Sequence, residues 1–439
     1  MAKQDQYQPY CGYFHSELPA ENAALTHVAA GTPGGEFMRR FWQPVATSEE
    51  LGELPKLIKI LGEELVLFRD KRGRVGLLQK HCPHRGASFE YGICERTGIR
   101  CCYHGWLFDV DGTILETPAE PEDSPIKKRF RAGAYPVVER KGLIFAYFGP
   151  PDEKPPFPEF DTFDIPDVES VAYSLPYPCN WLQIVENAMD PFHGVFLHAR
   201  VSGTHFFDSW AKFGIVDFHE RDIGFYYTNA RRIDDNIWLR IHDILLPNFT
   251  QAGAVFATDG SDVKHFGRCS FTRWVVPVDD ENSKIVSLAH FGDRAEGHEM
   301  NTQEGLECIE QGQPRGRPYE ETQRVPCDYE AFIGQGAIAR HANEHLGTTD
   351  RGVSMLRRKL GVAIEALQRG ERPAQPADLG TPIPTYAGDT VVHMPAIENG
   401  DDDALILETS RRIAAAYEEG DSLTGEARDE HIQQLLAKL

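Results

Sequence analysis

The stretch CPHRGASFEYGICERTGIRCCYHGW, residues 82–106, places four cysteines and two histidines within one short span. Two pairs can be read in it, Cys82-x-His84 and Cys101-x-x-His104, each offering one thiolate and one imidazole. A structural zinc site accepts two cysteines and two histidines, but zinc fingers group cysteine with cysteine and histidine with histidine. Here the two types are interleaved. Upstream, LIKILGEELVLFRDKRGRVGLLQ (57–79) is a set of short apolar runs broken at Gly-Glu and Arg-Gly. Downstream, GWLFDVDGTILE (105–116) sets Asp-Gly between two apolar runs, the signature of a hairpin. The paired ligands therefore fall on loops of a small all-β unit, over about residues 35–150.

Interleaving suits a Rieske-type [2Fe-2S] centre, in which one iron takes a cysteine from each loop and the other a histidine from each loop. Neutral imidazole in place of thiolate raises the potential to roughly −150 to +300 mV, against about −400 mV for plant-type ferredoxins. With its flanks included, CPHRGASFEYG followed by YHGWLFDVDG, the stretch resembles the Rieske domain of aromatic-ring-hydroxylating oxygenases. In that family the second loop commonly runs Cys-Pro-Tyr-His. The resemblance thus assigns Cys82, His84, Cys101 and His104 as the cluster ligands and sets Cys102 where the proline is usual. Cys94 and His81 are close in sequence, and the paired spacing favours neither. Cys11, Cys179, Cys269, Cys308 and Cys327 lie scattered and read as small packed residues. Nine cysteines, four of them beside histidines, fit metal ligation in a reducing compartment better than a disulfide framework.

The rest of the chain divides around a proline-rich passage, GPPDEKPPFPEF (149–160), which breaks helix and strand and reads as a linker. Residues 1–34 are polar and turn-rich, running into GTPGGEF (31–37), and read as an N-terminal arm. Beyond the linker, 151–439, the pattern turns helical near Asn180. Then GFYYTNARRI, IWLRIHDILLP, KHFGRCSFTRWVVPV and KIVSLAHFG read as successive strands. VSMLRRKLGVAIEALQRG and ALILETSRRIAAAYEEG repeat apolar residues at helical spacing, the second ending at Gly420. The prediction is an α+β fold: an all-β domain followed by a larger one with an antiparallel sheet and helices.

A second constellation lies in NWLQIVENAMDPFHGVFLH (180–198), with Asn187, Asp190, His193 and His198. His198 is five residues beyond His193, about 140° round an ideal helix, so both can meet one metal only where the helix ends or bends between them. Two imidazoles and one carboxylate make the facial triad of non-heme Fe(II) oxygenases, which leaves coordination positions open for O2. CNWLQ, EN-x-x-D-x-x-H and a histidine after four more residues resemble the catalytic helix of Rieske oxygenases. Members similar to phthalate 4,5-dioxygenase and the 5,5'-dehydrodivanillate O-demethylase oxygenase component carry the third ligand far downstream. The segment CDYEAFIGQGAIARHANEHLGTTDRG (327–352) is similar to theirs and sets Asp328 at that position, with Glu330 and Glu344 as alternatives. It departs at Arg340-His341, where those relatives have an Asp-Arg pair, which puts local salt bridges in doubt.

The same resemblance implies a helix-grip catalytic domain, a mononuclear Fe(II), and a homotrimer or stacked trimers. In it Asp190 bonds His193 of its own chain and His104 of a neighbouring one, with Asn187 beside it as a second catalytic residue. It implies an aromatic carboxylate substrate and O2 as co-substrate, with O-demethylation of a methoxylated aromatic acid the leading activity, and cis-dihydroxylation and simple electron carriage the alternatives. A carboxylate calls for a guanidinium; Arg200, Arg232 and Arg240 are candidates, each of which also fits an ordinary surface arginine. Electrons must come from NAD(P)H through a flavin reductase, with or without a ferredoxin, because the chain lacks a dinucleotide fingerprint after a strand. Residues 71–131 hold 11 Lys and Arg against 8 Asp and Glu in a chain of net charge −22, an excess that would steer an acidic donor. The overall charge repels nucleic acid and anionic lipid. No run approaches the ~18 apolar residues of a membrane span, and no leader pattern opens the chain, so a cytoplasmic protein is expected.

Overall fold

The computed structural model of the chain describes residues 8–15, 20–201, 207–253, 258–291 and 316–439. Cys308 and the arm residues 1–7 and 16–19 lie outside them. Short strands come first: β1 (Trp42–Thr47), β2 (Lys56–Ile60), β3 (Glu63–Arg69), β4 (Val75–Gln79), β5 (Ile93–Cys94), β6 (Ile99–Arg100), β7 (Leu107–Phe108), β8 (Ile114–Glu116), β9 (Ala134–Tyr135), β10 (Val137–Arg140) and β11 (Leu143–Tyr147). They make three antiparallel sheets, β1-β11-β10, β2-β3-β4-β9 and β5-β6-β7-β8. The hairpin expected at Asp-Gly is β7–β8, where Gly112 turns at φ 80° and a Cβ would lie 2.1 Å from the Ala132 carbonyl oxygen. That pairing sets one ligand loop before β5 and the other between β6 and β7. Both rest on a core of Val66, Phe68, Phe89, Ile99, Trp106 and Phe108, to which Cys82 and Cys101 themselves belong.

The lead-in is more ordered than its composition predicts. Residues 23–26 and 33–38 are helical, with Leu25, Val28, Phe37 and Met38 in the main core. The Thr32 hydroxyl caps the second of these by accepting the Gly35 N–H. The paired glycines of GTPGGEF are packing residues: a Cβ on Gly35 would lie 2.2 Å from the Ala29 carbonyl oxygen. Composition alone read close approach as irregularity.

After the prolines comes a nine-stranded antiparallel sheet of β12 (Glu169–Tyr177), β13 (Ile215–Arg221), β14 (Gly224–Ile233), β15 (Asn236–Leu245), β16 (Phe249–Ala252), β17 (Lys264–Arg268), β18 (Phe271–Pro277), β19 (Ser283–Phe291) and β20 (Gly388–His393). Its main path is β12-β19-β18-β16-β15-β14-β13, with β20 joining β15 to β17. KHFGRCSFTRWVVPV, read as one strand, is two: β17 pairs β20 while β18 pairs β16 and β19, with the break at Cys269-Ser270.

The main helices are α1 (Trp181–Asn187), α2 (Asp328–Gly334), α3 (Arg351–Gln368), α4 (Asp402–Glu419) and α5 (Gly425–Leu436). Alternation along the strands sends them to opposite sides. On one face Tyr226, Thr228 and Arg232 meet Glu418, Ser410 and Asp402 of α4. The small sheets cover the other half of that same face, where Trp274 packs on Phe145 at 5.3 Å and Asn248 donates to Gln43 at 2.7 Å. On the opposite face Tyr177 packs on Tyr329 and Phe332 of α2, and Asn229 reaches the Pro191 carbonyl. That second face holds the second constellation. None of the described helices is long and apolar enough to cross a membrane.

Candidate metal centres

The two ligand loops near β5–β8 are close copies. In the first, the Cys82 N–H donates to Ala87 O (2.8 Å) and the Gly86 N–H to Cys82 O (2.9 Å). In the second, the Cys101 N–H donates to Trp106 O (2.8 Å) and the Gly105 N–H to Cys101 O (3.1 Å). Gly86 and Gly105 close the loops at φ 76° and 72°, the left-handed region that favours glycine. Both cysteine side chains are buried and within hydrogen-bonding reach of each other, while the rings of His84 and His104 stand with centroids 4.5 Å apart. His84 is stacked on Trp106 at 4.3 Å. Burial, and then the neighbouring Cys101, push the Cys82 thiol up to about 12 against the N–H groups of His84 and Arg85. Two sulfurs inside and two imidazoles toward the surface, on matched loops, fit a cluster that takes sulfur at one iron and nitrogen at the other. Cys94 faces the core, Cys102 is exposed, and His81 turns its Nδ1 to the Gly86 carbonyl at 2.9 Å, so none of the three joins the set.

At the second centre α1 starts at Asn180, whose side chain accepts the Leu182 N–H, and stops at Ala188. After a turn the chain rewinds as a π-helix over Gly194–Val201. This is the break that the two histidines require, because π winding bonds i to i+5 and so brings residues five apart to one side. The possible ligand atoms of His193, His198 and Asp328 all lie within 4.8 Å of one another. His198 Nε2 is 3.2 Å and His193 Nε2 3.8 Å from Asp328 Oδ1, separations that one ion about 2.0–2.2 Å from each donor can span. Asn187 Nδ2 donates to the same Asp328 oxygen at 3.5 Å, which aims the carboxylate. The alternatives are engaged elsewhere. Glu330 accepts the Cys327 N–H (2.9 Å) and Arg317 (2.7 Å), fixing the start of α2, and Glu344 accepts Arg357 at 3.2 Å. Arg357 also holds Glu186 of α1 at 2.8 Å, tying the two segments together. The doubtful salt bridges at Arg340-His341 have been replaced: Arg340 lies 3.5 Å from Glu21, and His341 Nδ1 accepts the Asn22 N–H.

Asp190 departs from the expected contact. His193 Nδ1 donates to the Asp190 backbone carbonyl at 2.7 Å, while the carboxylate Oδ2 stands 3.6 Å away. Oδ1 accepts the Phe192 N–H at 2.9 Å. Against burial, His193 and this N–H hold the Asp190 carboxyl below its ordinary value.

The three candidate arginines do not present free guanidinium groups to the iron site. Arg200 is exposed, donates to Ala211 O and lies over Phe196 and Phe213. Arg232 points to the far face of the sheet, where it pairs with Asp402. Arg240 is on the near face but wholly enclosed, paired with Asp389 and lying 3.8 Å over Trp210. Both partners of the Arg240–Asp389 pair have side-chain exposure of 0%. Asp389→Ala is therefore expected to destabilise the protein by about 3–5 kcal/mol, the cost of stranding a buried charge, which denaturant titration measures. The sequence reading passed over Arg231 and Arg273, which stand on the near face. Arg231 bonds Trp210 O and Asn229, and Arg273 reaches Tyr173 across the sheet. Counting the strand period from Asn229 would have picked Arg231 over Arg232.

A buried sulfur pair with matched imidazoles, and a separate two-histidine, one-carboxylate site, define an oxidoreductase with an electron-relay centre and a mononuclear iron. Residues 41–136 match the family model of the Rieske [2Fe-2S] domain. Over its whole length the chain is 40% identical to the tert-butanol monooxygenase / tert-amyl alcohol desaturase oxygenase subunit of Aquincola tertiaricarbonis, covering 98% of that protein. It is 34% identical, over 85% of its length and 87% of the relative, to the 5,5'-dehydrodivanillate O-demethylase oxygenase subunit of a Sphingobium strain. Among solved structures, dicamba monooxygenase bound to dicamba superposes with a TM-score of 0.59 at 21% identity, over 76% of this chain and all of that one, a likeness of fold. The chain belongs to the Rieske non-heme iron oxygenases as an oxygenase (alpha) subunit, and its cofactors are a Rieske [2Fe-2S] cluster and a mononuclear iron.

Proposed function

We propose that this oxygenase subunit O-demethylates a methoxylated aromatic carboxylate, Ar–OCH3 + O2 + 2 e− + 2 H+ → Ar–OH + HCHO + H2O. Cys82, His84, Cys101 and His104 would hold the cluster, and His193, His198 and Asp328 the iron. The observation that carries an oxygenase over a Rieske electron carrier is the convergence of His193, His198 and Asp328, for which a carrier has no use. When bound, the iron supplies O2 activation and the cluster supplies single electrons. The chain's own residues orient the ligands: Asn187 aims Asp328, and the Asp190 carbonyl fixes the tautomer of His193.

Charge supports an acid as substrate. The near face carries Arg231 on β14, Arg240 on β15 and Arg273 on β18, with Asp389 of β20 paired to Arg240. An anion is the group that such a wall accepts. The whole-length relative that oxidises tertiary alcohols favours a neutral substrate instead, and ring cis-dihydroxylation is a third outcome. The test supplies a flavin reductase, NADH and O2 with vanillate, benzoate and tert-butanol. Formaldehyde equimolar with O2 consumed is expected from vanillate; a diol from benzoate, or oxidation of tert-butanol alone, overturns the reading.

Electrons would arrive from NAD(P)H through a flavin reductase, directly or by a ferredoxin. Lys127, Lys128, Arg129 and Arg131, all exposed beside the cluster core, offer an acidic donor a landing site. Exposed Tyr91, Ile93 and Tyr103 near the ligand loops, and Phe196 and Phe213 near the iron site, support assembly into a homotrimer in which the cluster of one subunit serves the iron of the next.

A further inference from the structure

The near face of β15 carries Trp238, Arg240, His242 and Ile244. Of its ten residues, His242 is the one not fully buried, although β15 is a middle strand flanked on both sides. The ring's open surface lies on the near face of the sheet, the side that holds the second constellation. The side chain is immobilised without using its nitrogens: it stacks face to face on Tyr227, centroids 4.7 Å apart and planes 9° from parallel. Among the described residues neither ring nitrogen has a hydrogen-bond partner. The ring therefore has a donor and an acceptor left to meet water or a ligand.

We propose that His242 is a specificity-determining residue that donates an N–H hydrogen bond to the carboxylate of the substrate. Its stacking partner Tyr227 is two positions along β14 from Asn229, which reaches the Pro191 carbonyl two residues before His193, so the ring stands on the side of the sheet where the reacting carbon must sit. Arg240, two positions along the same face of β15, and Arg231 on the neighbouring strand β14 are cationic. That field welcomes an anionic oxygen at the ring edge. Burial first, and then these neighbours, hold the imidazole well below its ordinary value, so it meets the substrate as a neutral donor. Tyr227 in turn fixes the ring plane, which sets the direction from which the acid can be held.

This inference rests on the carboxylate reading of the substrate, and the test separates the two. The holoenzyme is titrated calorimetrically with vanillate and with vanillyl alcohol, which differ in carboxylate against hydroxymethyl. His242→Phe keeps the ring stack and removes the donor. The expected result is an affinity for vanillate about tenfold or more weaker, as for a hydrogen bond to a charged group, with vanillyl alcohol, iron content and cluster spectrum unchanged. His242→Asn, which restores a donor, is expected to recover part of the loss and serves where the phenylalanine variant does not fold. Unchanged vanillate affinity, or equal losses for both compounds, overturns the role of His242 and leaves the substrate class standing. Wild-type protein that binds the acid no better than the alcohol overturns both.

Discussion

His193→Ala protein is expected to keep the absorption and EPR signature of its [2Fe-2S] cluster, to lose the third iron per chain, and to show no product above background. The two centres are built on separate elements: the cluster loops rest on the β5–β8 sheet and its own core, the triad on α1, the π-helix and α2. Removing one imidazole leaves His198 and Asp328, 3.2 Å apart, as a two-donor site. The triad has no fourth protein ligand among the described residues to replace it. The fold should survive, because α1 is held from its other sides by Asn180, Gln183 and the Glu186–Arg357 pair. Iron and sulfide analysis of the purified variant, beside product formation with a reductase, gives the answer. Three irons per chain in an inactive variant would take His193 out of the ligand set.

The difference in legibility between the centres has a physical cause. The cluster loops were readable because ligand type, order and spacing all sit within residues 82–104, and a local hairpin frame dictates their geometry. The histidine pair was half readable. Spacing required a break, and the structure supplies it as a π-helix, a winding that no propensity in GVFLHARV announces. Asp328 comes from 130 positions beyond His198 and could be found only through resemblance, because a carboxylate at a helix start is common. Arg232 was out of reach of sequence reading by residue type, because what matters is which face of a strand it occupies. Arg232 and Arg231 are neighbours in sequence, yet one meets α4 and the other Trp210. His242 gave no signal at all, since its distinction is open surface inside a strand that reads as wholly buried. Likewise Gly34 and Gly35 imitate a loop in composition while serving helix packing.

Asp190→Asn is the second large effect, an expected loss of about 10–100-fold in coupled turnover, the range found when a residue behind a metal ligand is changed. The geometry makes this substitution a test of charge. The backbone carbonyl that orients His193 is untouched, and asparagine's Oδ1 can accept the Phe192 N–H as the aspartate does. The loop should therefore hold its shape, with both metals bound, and the single difference is an amide in place of the anionic Oδ2. In the trimer reading, that oxygen accepts the N–H of the partner subunit's His104, and the anion between two imidazoles joins the centres. An amide presenting its NH2 there would repel that N–H. NADH should then be consumed by slow leakage to O2 with little product, measured as the ratio of product to NADH oxidised. A variant with wild-type turnover and coupling would show that the carboxylate serves only to cap the Phe192 turn, and would send the search for the electron path elsewhere.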